Sequence, residues 1–179
     1  FGIDDPNFRG GARAAVGDLT GDGTPDLIVA AGFGGGPRIA VYDGKTVLTT
    51  PTRLLNDFFV FEQTLRNGVY VTAGDIDGDG FADVIAGGGP GGGPRVFAIS
   101  GADLIAGRTP TVLANFFAGN SNDRNGVRLV AKDVDGDGKV EVYTGSGTGN
   151  SGHVHRYRGN GGDDGFDVDF GGNTGGFVG

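Results

Sequence analysis

The sequence contains no cysteine, methionine or tryptophan, and only two histidines. Without cysteine the chain forms no disulfide and has no thiolate for catalysis or metal binding. It also lacks any run of about 18 apolar residues, so we expect no membrane span. Because the chain begins with Phe1 and has no methionine, we expect it to be part of a longer translated protein.

Basic residues are outnumbered: 14 lysines and arginines stand against 22 aspartates and glutamates, for a formal net charge of -8. Nucleic-acid binding needs lysine and arginine to neutralise phosphates, so this balance argues against a nucleic-acid partner. Glycine is abundant instead, at 40 of 179 residues. Helix interiors tolerate glycine poorly and tight turns require it, so the composition favours short strands joined by turns.

One acidic segment occurs three times, as "GDLTGDGTPD" at 17–26, "GDIDGDGFAD" at 74–83 and "KDVDGDGKVE" at 132–141. The first aspartates of the three copies are 57 and 58 residues apart, at Asp18, Asp75 and Asp133. An arginine that opens a turn precedes each of them by nine residues, at Arg9, Arg66 and Arg124. Fixed offsets over this length indicate an internal repeat.

Each repeat has the pattern of four short strands. In the second copy, apolar and β-branched runs at 69–73, 83–87, 95–99 and 111–117 are separated by glycine and proline turns. Four strands per repeat are typical of propeller blades. We therefore predict an all-β protein with β-propeller-type blades, in three four-stranded antiparallel repeats of about 57 residues.

We expect one repeat domain over residues 1–179. Its predicted parts are blade 1 at about 1–61, blade 2 at about 62–119, blade 3 at about 120–170, and the start of a further repeat at 171–179. Closed propellers have 4–8 blades, so three repeats are too few for a ring. The expected partners are flanking blades of a larger chain, or further copies of this chain in a homo-oligomer or fibre.

The acidic segments predict calcium-binding loops. Carboxylates at alternate positions, with glycines between them, bring oxygen ligands together, and calcium takes 6–8 oxygens. No histidine or cysteine lies in these loops, which argues against zinc. About three calcium ions are expected, on side chains at positions 1, 3, 5 and 9 and the backbone carbonyl at position 7. The predicted ligands are Asp18, Thr20, Asp22, Thr24 and Asp26 in the first loop, Asp75, Asp77, Asp79, Phe81 and Asp83 in the second, and Asp133, Asp135, Asp137, Lys139 and Glu141 in the third.

An EF-hand is the obvious competitor, but it needs a glutamate at position 12 and a helix on each side. Position 12 here is Val29, Ala86 or Thr144, and β-branched residues flank the loops. We expect the three sites to differ. Thr20 is a neutral ligand and should make the first site the weakest, and the longer Glu141 should loosen the third.

These loops, D-x-[D/N/T]-x-D-G-x-x-[D/E], together with the glycine-rich "AGFGGGP" at 31–37 and "GGGPGGGP" at 87–94, resemble the FG-GAP/VCBS repeats of integrin α-type propellers. The resemblance implies one blade per repeat and calcium in the loop between its first two strands. It also implies an extracellular or cell-surface setting, with a role in adhesion, ligand binding or scaffolding. The third copy departs most, with "GSGTGNSGH" in place of the GGGP turn.

Other motifs are weaker. Gly147, Gly149 and Gly152 fit G-x-G-x-x-G, but a strand pattern follows where a dinucleotide site needs a helix. His153 and His155 share one face of that strand and could share a metal, although such a pair is more often an ordinary strand face. The Gly- and Asp-rich tail at 159–176 is predicted to be an exposed connection, with a further weak ion site as the alternative.

Two functional classes follow. We favour a non-enzymatic calcium-binding module for adhesion, scaffolding or fibre assembly, with a protein or carbohydrate ligand. The alternative is the propeller domain of a secreted polysaccharide-active hydrolase or lyase. Against that alternative, no Ser-His-Asp set stands out, and half of the acidic residues are assigned to the loops.

Overall fold

The computed structural model describes residues 7–147, 149 and 152–172. Within this part of the chain, the strands form three four-stranded sheets, each with its strands in sequential order. The first sheet comprises β1 (Ala12–Gly17), β2 (Asp26–Ala31), β3 (Arg38–Tyr42) and β4 (Phe58–Phe59). The second comprises β5 (Val69–Gly74), β6 (Asp83–Gly88), β7 (Arg95–Ile99) and β8 (Val112–Phe117). The third comprises β9 (Val127–Lys132), β10 (Glu141–Ser146), β11 (His153–Tyr157) and β12 (Asp163–Asp169).

All the strand pairs within these sheets are antiparallel, and the first hairpin has the same register in each sheet. The pairs that close these hairpins are Gly17 with Asp26, Gly74 with Asp83, and Lys132 with Glu141. Each acidic loop therefore leaves and rejoins its sheet at equivalent points. The predicted fold class of three four-stranded antiparallel repeats is confirmed.

The apolar core lies between the sheets. Side chains of the first sheet such as Ile28 and Val41, both fully buried, share a cluster with Val69 and Val84 of the second sheet. A second cluster joins the opposite face of the second sheet to the third. Alternate residues of a strand point to opposite faces, so the middle sheet contributes to both clusters.

Glycines at the end of the first strand let neighbouring sheets approach closely. A Cβ atom at Gly17 would lie 2.8 Å from the Cβ of Ala73, and one at Gly74 would lie 2.7 Å from Cγ1 of Val140. Neither interface has room for a side chain there. The equivalent residue of the third sheet is Lys132.

Backbone hydrogen bonds also connect consecutive sheets, near both ends of the strands. At the acidic loops, the Ala82 N–H donates to the Asp18 carbonyl at 2.8 Å, and the Val140 N–H donates to the Asp75 carbonyl at 2.8 Å. At the opposite end, the glycine-rich turn of one repeat donates to the arginine turn of the next, as from Gly34 to the carbonyl of Arg66 at 2.9 Å. The repeated glycine-rich and arginine turns thus join one sheet to the next.

The structure differs from two sequence expectations. The tail at 159–176 was predicted to be an exposed connection; residues 163–169 are mostly exposed, but they form β12, which pairs with β11. A short helix, α1 (Gly101–Ile105), follows β7, where the sequence indicated only a turn. The Ser100 side chain caps it by accepting from the Asp103 N–H.

The blade boundaries within one repeat domain stay a prediction. Residues 173–179, most of the predicted further repeat, lie outside the described residues. Among the described residues, no helix is both long enough and apolar enough to cross a membrane.

Candidate metal-binding loops

The first aspartate of each acidic loop organises the loop backbone. In the second loop, Asp75 accepts hydrogen bonds from the Gly78 N–H at 2.6 Å and the Gly80 N–H at 2.8 Å. Gly78 and Gly80 have φ values of +84° and +88°, which side-chain-bearing residues rarely adopt. The third loop repeats the arrangement, with Gly136 and Gly138 donating to Asp133 at 2.7 and 3.1 Å. The glycines are therefore required for the curvature that turns the carboxylates inward.

Aspartates at positions 3 and 5 brace the loop in the same way. The carboxylate of Asp77 accepts from the Asp79 N–H at 3.1 Å, and that of Asp79 accepts from the Phe81 N–H at 2.9 Å. Each of these bonds uses one lone pair of one oxygen, so other oxygen lone pairs stay available to a cation. Both side chains belong to exposed residues, so a cation could reach them from solvent.

The carboxylate at position 9 is buried and ties the loop to its sheet. Asp83 is fully buried and accepts from the Ile76 N–H at 2.8 Å and the Gly101 N–H at 3.0 Å. Asp26 makes equivalent bonds to Leu19 and Gly44, both at 3.0 Å. Sequence reasoning assigned this position only to the metal and missed its structural role. The signal was the glycine found 18 residues after each of these aspartates.

The pKa of Asp83 is raised to about 6, chiefly by burial and to a smaller extent by the charges of Asp77 and Asp79, while its backbone hydrogen bonds act to lower it. A buried carboxylate with like charges around it is costly to ionise. A cation between these carboxylates would remove that cost.

Two of the loops bring three carboxylates together. One oxygen from each of Asp75, Asp77 and Asp83 lies within 4.8 Å of the others, and the same holds for Asp133, Asp135 and Glu141. Oxygens bound to one calcium at 2.3–2.6 Å can be up to about 5 Å apart, so both groups fit that ion. Asp79 and Asp137, at position 5, lie outside these groups of three, and calcium coordination by the fifteen predicted residues stays a prediction.

The first loop is different. The Thr20 hydroxyl donates to the Asp18 carboxylate at 3.2 Å, and the Nζ atom of Lys45 lies 2.6 Å from the Asp22 carboxylate. This contact with Lys45 lowers the pKa of Asp22 and raises that of Lys45. A calcium ion in the first loop would have to compete with the ammonium group of Lys45.

Position 7 contributes a contact that the sequence did not predict. The Phe81 ring lies over Gly21 of the preceding loop, where an added Cβ would be 2.6 Å from its Cε1 atom. Lys139 lies over Gly78 in the same way, with Cε at 2.9 Å from an added Cβ. Consecutive loops are therefore in contact through side chains as well as through the backbone.

Three successive four-stranded antiparallel sheets, joined face to face and carrying one acidic loop each, define a β-propeller-type repeat protein. The family model of the FG-GAP-like repeat matches residues 18–86, which confirms the FG-GAP-type repeat predicted from the sequence for that part of the chain. Integrin alpha-7 of Rattus norvegicus is 34% identical over 80 residues, which are 41% of this chain and 7% of that protein.

The fold is also similar to the crystal structure of rhamnogalacturonan lyase YesW. The TM-score is 0.54 at 16% sequence identity, over 94% of this chain and 35% of the lyase chain. At this identity the similarity concerns the fold alone. The chain spans a small part of the integrin and about a third of the lyase.

Proposed function

We propose that this chain is a non-enzymatic, calcium-binding repeat module of an extracellular or cell-surface protein, serving adhesion, scaffolding or fibre assembly. The observation that carries the proposal is the grouping of three carboxylates in each of the second and third loops. Glycines with positive φ give these loops the tight turn that brings the carboxylates together. The FG-GAP-like match over residues 18–86 supports the same function and the extracellular setting.

Calcium would act on the joints between blades. The first residue of each of the first two loops is a predicted ligand through its carboxylate and also accepts a hydrogen bond from the following blade through its carbonyl. An ion that fixes Asp18 or Asp75 would therefore stiffen a contact between two sheets. This coupling suits a module that must keep its shape while it carries a partner.

The first repeat has an exposed apolar surface on the side where a preceding blade would pack. In the first repeat, Val16 is 64% exposed and Leu48 is 94% exposed. Their counterparts in the second repeat, Ala73 and Ile105, pack against the core cluster between the first two sheets. A preceding blade, from the same chain or from a second copy, would cover Val16 and Leu48 in the same way.

An enzymatic role has less support. The lyase resemblance concerns the fold, and carboxylates outside the loops are engaged elsewhere. Asp57 pairs with Arg38 and Arg53, Asp103 binds Arg108 and Thr111, and Glu62 pairs with Arg95. These contacts lower the pKa of Asp103 to about 2, chiefly through its bonds with Thr111, so it is unsuited to donate a proton at neutral pH.

Calorimetric titration with calcium tests the proposal, with magnesium as the control ion. We expect up to about three calcium ions per chain with extracellular-type affinities of about 10⁻⁴–10⁻³ M, and weaker binding of magnesium, which prefers a smaller octahedral site. An absence of calcium binding would refute it. A screen of polysaccharides for cleavage tests the enzymatic alternative, and reproducible turnover would favour that alternative.

A further inference from the structure

A second group of metal-ligating side chains lies apart from the acidic loops, on the β11–β12 hairpin of the third sheet. One ligand atom from each of His153, His155 and Asp167 lies within 4.8 Å of the others. The two histidines point to one face because they are two residues apart in a strand, and His155 is directly paired with Asp167 across the hairpin. A regular sheet therefore positions all three side chains.

The distances suit a small tetrahedral ion. The Nδ1 atom of His153 lies 2.9 Å from Oδ1 of Asp167, and Nε2 of His155 lies 3.6 Å from the same oxygen. Ligand atoms bound to tetrahedral zinc at about 2.0–2.1 Å are about 3.3 Å from one another. These two distances lie on either side of this value, and all three ligand atoms lie within 4.8 Å of one another, so their spacing is near that of a tetrahedral site.

The second nitrogen of His153 also has a carboxylate near it. Its Nε2 atom is 3.8 Å from Oδ2 of Asp169, the residue paired with His153 in the hairpin. A metal-bound histidine usually donates its other ring N–H to a carboxylate, which fixes the tautomer and the ring orientation. With Nδ1 on the ion, His153 would present its Nε2–H to Asp169.

The site is accessible. The two imidazole rings are stacked, with centroids 5.6 Å apart, and each histidine side chain is about 30% exposed. Both rings line a cleft of about 220 Å³ between the second and third sheets, together with Asn120, Thr144 and other residues. Three protein ligands would leave one coordination position, which a water or a ligand in the cleft could fill.

We propose that His153, His155 and Asp167 bind one divalent transition-metal ion of the zinc class, with Asp169 as a positioning residue for His153. Imidazole nitrogen is a ligand of zinc-class ions, whereas calcium prefers oxygen, so this site and the acidic loops select different ions. The simpler explanation is that the hairpin holds only cross-strand histidine–aspartate pairs, and the two explanations predict different metal binding.

Cobalt(II) is a suitable probe, because a tetrahedral site gives it intense visible absorption. The titration uses the whole chain at pH 7.5 in about 10 mM calcium, so that the proposed calcium sites in the acidic loops are filled and do not take up cobalt. We expect saturation near one cobalt per chain, displacement by zinc, and at least a tenfold loss of affinity in His155→Asn. Asp163→Asn, on the same strand but outside the cluster, is the matched control and should bind cobalt normally.

Thermal melts in calcium establish that each variant is folded. Asp169→Asn should weaken cobalt binding by roughly tenfold, as expected for a positioning residue, while the visible spectrum persists. If the wild-type chain shows no tetrahedral cobalt spectrum, or if His155→Asn binds cobalt as tightly as the wild type, the proposal is wrong. Because calcium binding by the loops is measured separately, either result leaves the proposed calcium function unaffected.

Discussion

Replacing single aspartates of the second loop by asparagine should separate ligands from structural carboxylates. Asp77 is exposed, and its one hydrogen bond in the loop, from the Asp79 N–H, can be kept by an asparagine oxygen. In chelator, Asp77→Asn should therefore change the free energy of unfolding by no more than about 0.5 kcal/mol. In about 10 mM calcium, a site with a Kd of about 10⁻⁴–10⁻³ M stabilises the fold by about 1.4–2.7 kcal/mol, and the variant should lose much of this.

Asp83→Asn gives the contrasting case. An amide has one acceptor oxygen where Asp83 uses two, so either the Ile76 or the Gly101 N–H would lose its partner inside the protein. This costs about 1–3 kcal/mol with or without calcium. Urea unfolding of both variants, in calcium and in chelator, measures the four values. Equal losses for Asp77→Asn in both solutions would show that Asp77 is not a ligand, and identical stability of the wild type in both would refute calcium binding.

Three further predictions concern the loops and the joints between sheets. Thr20→Asp should increase the calcium affinity of the first loop by up to about tenfold, as measured by calorimetry. The increase should be larger when Thr20→Asp is combined with Lys45→Gln, because the Lys45 ammonium group lies 2.6 Å from Asp22 and competes with the ion. No gain in either background would mean that position 3 does not coordinate. Calcium affinity of the second loop, measured by calorimetry, should fall as the pH drops below about 6, since a proton on Asp83 competes with the ion. If the affinity does not change between pH 7 and pH 5, Asp83 is not a ligand. Gly74→Ala should destabilise the fold by about 1–3 kcal/mol by overpacking, because its Cβ would lie 2.7 Å from Val140, whereas Gly36→Ala, with its nearest contact at 3.5 Å, should have little effect.

Much of the fold could be predicted because the same strand and turn pattern occurs in three copies at a fixed spacing. The acidic loops fix where the first two strands of each sheet meet, and the glycine-rich turns fix the start of the third strand. The fourth strands were harder, because the first two repeats share a similar segment there, "PTRLLNDFF" and "PTVLANFF", but the third repeat lacks it. β4 contains only Phe58 and Phe59, whereas β12 arises from an aspartate-rich segment that looks like a loop.

The partner strand β11 supplies hydrogen-bonding side chains to the aspartates of β12. His153 contacts Asp167, and Arg156 binds Asp164 at 2.5 Å, so the aspartates are paired across the hairpin and not repelled from it. This complementarity depends on register, which no single segment reveals. In the candidate site, the spacing of the acidic loops predicted which carboxylates lie close together. It did not predict the contact between Lys45 and Asp22, because Lys45 lies outside the acidic segment.

The two outer faces of the array are not equivalent. In the second position of the acidic loops, Leu19 is fully buried and Ile76 is 7% exposed, because the next sheet covers them, whereas Val134 of the third loop is 47% exposed. A fourth sheet docked in the same geometry would bury Val134, but it would also meet Lys132 where the first two interfaces require glycine. A lysine side chain cannot be accommodated where even a Cβ atom comes within 2.8 Å of the neighbouring sheet. A partner of the third sheet therefore needs room for Lys132 that the first two interfaces do not leave at the equivalent glycines, while the first repeat, with Val16 and Leu48 exposed, retains the surface that its counterpart in the second repeat buries.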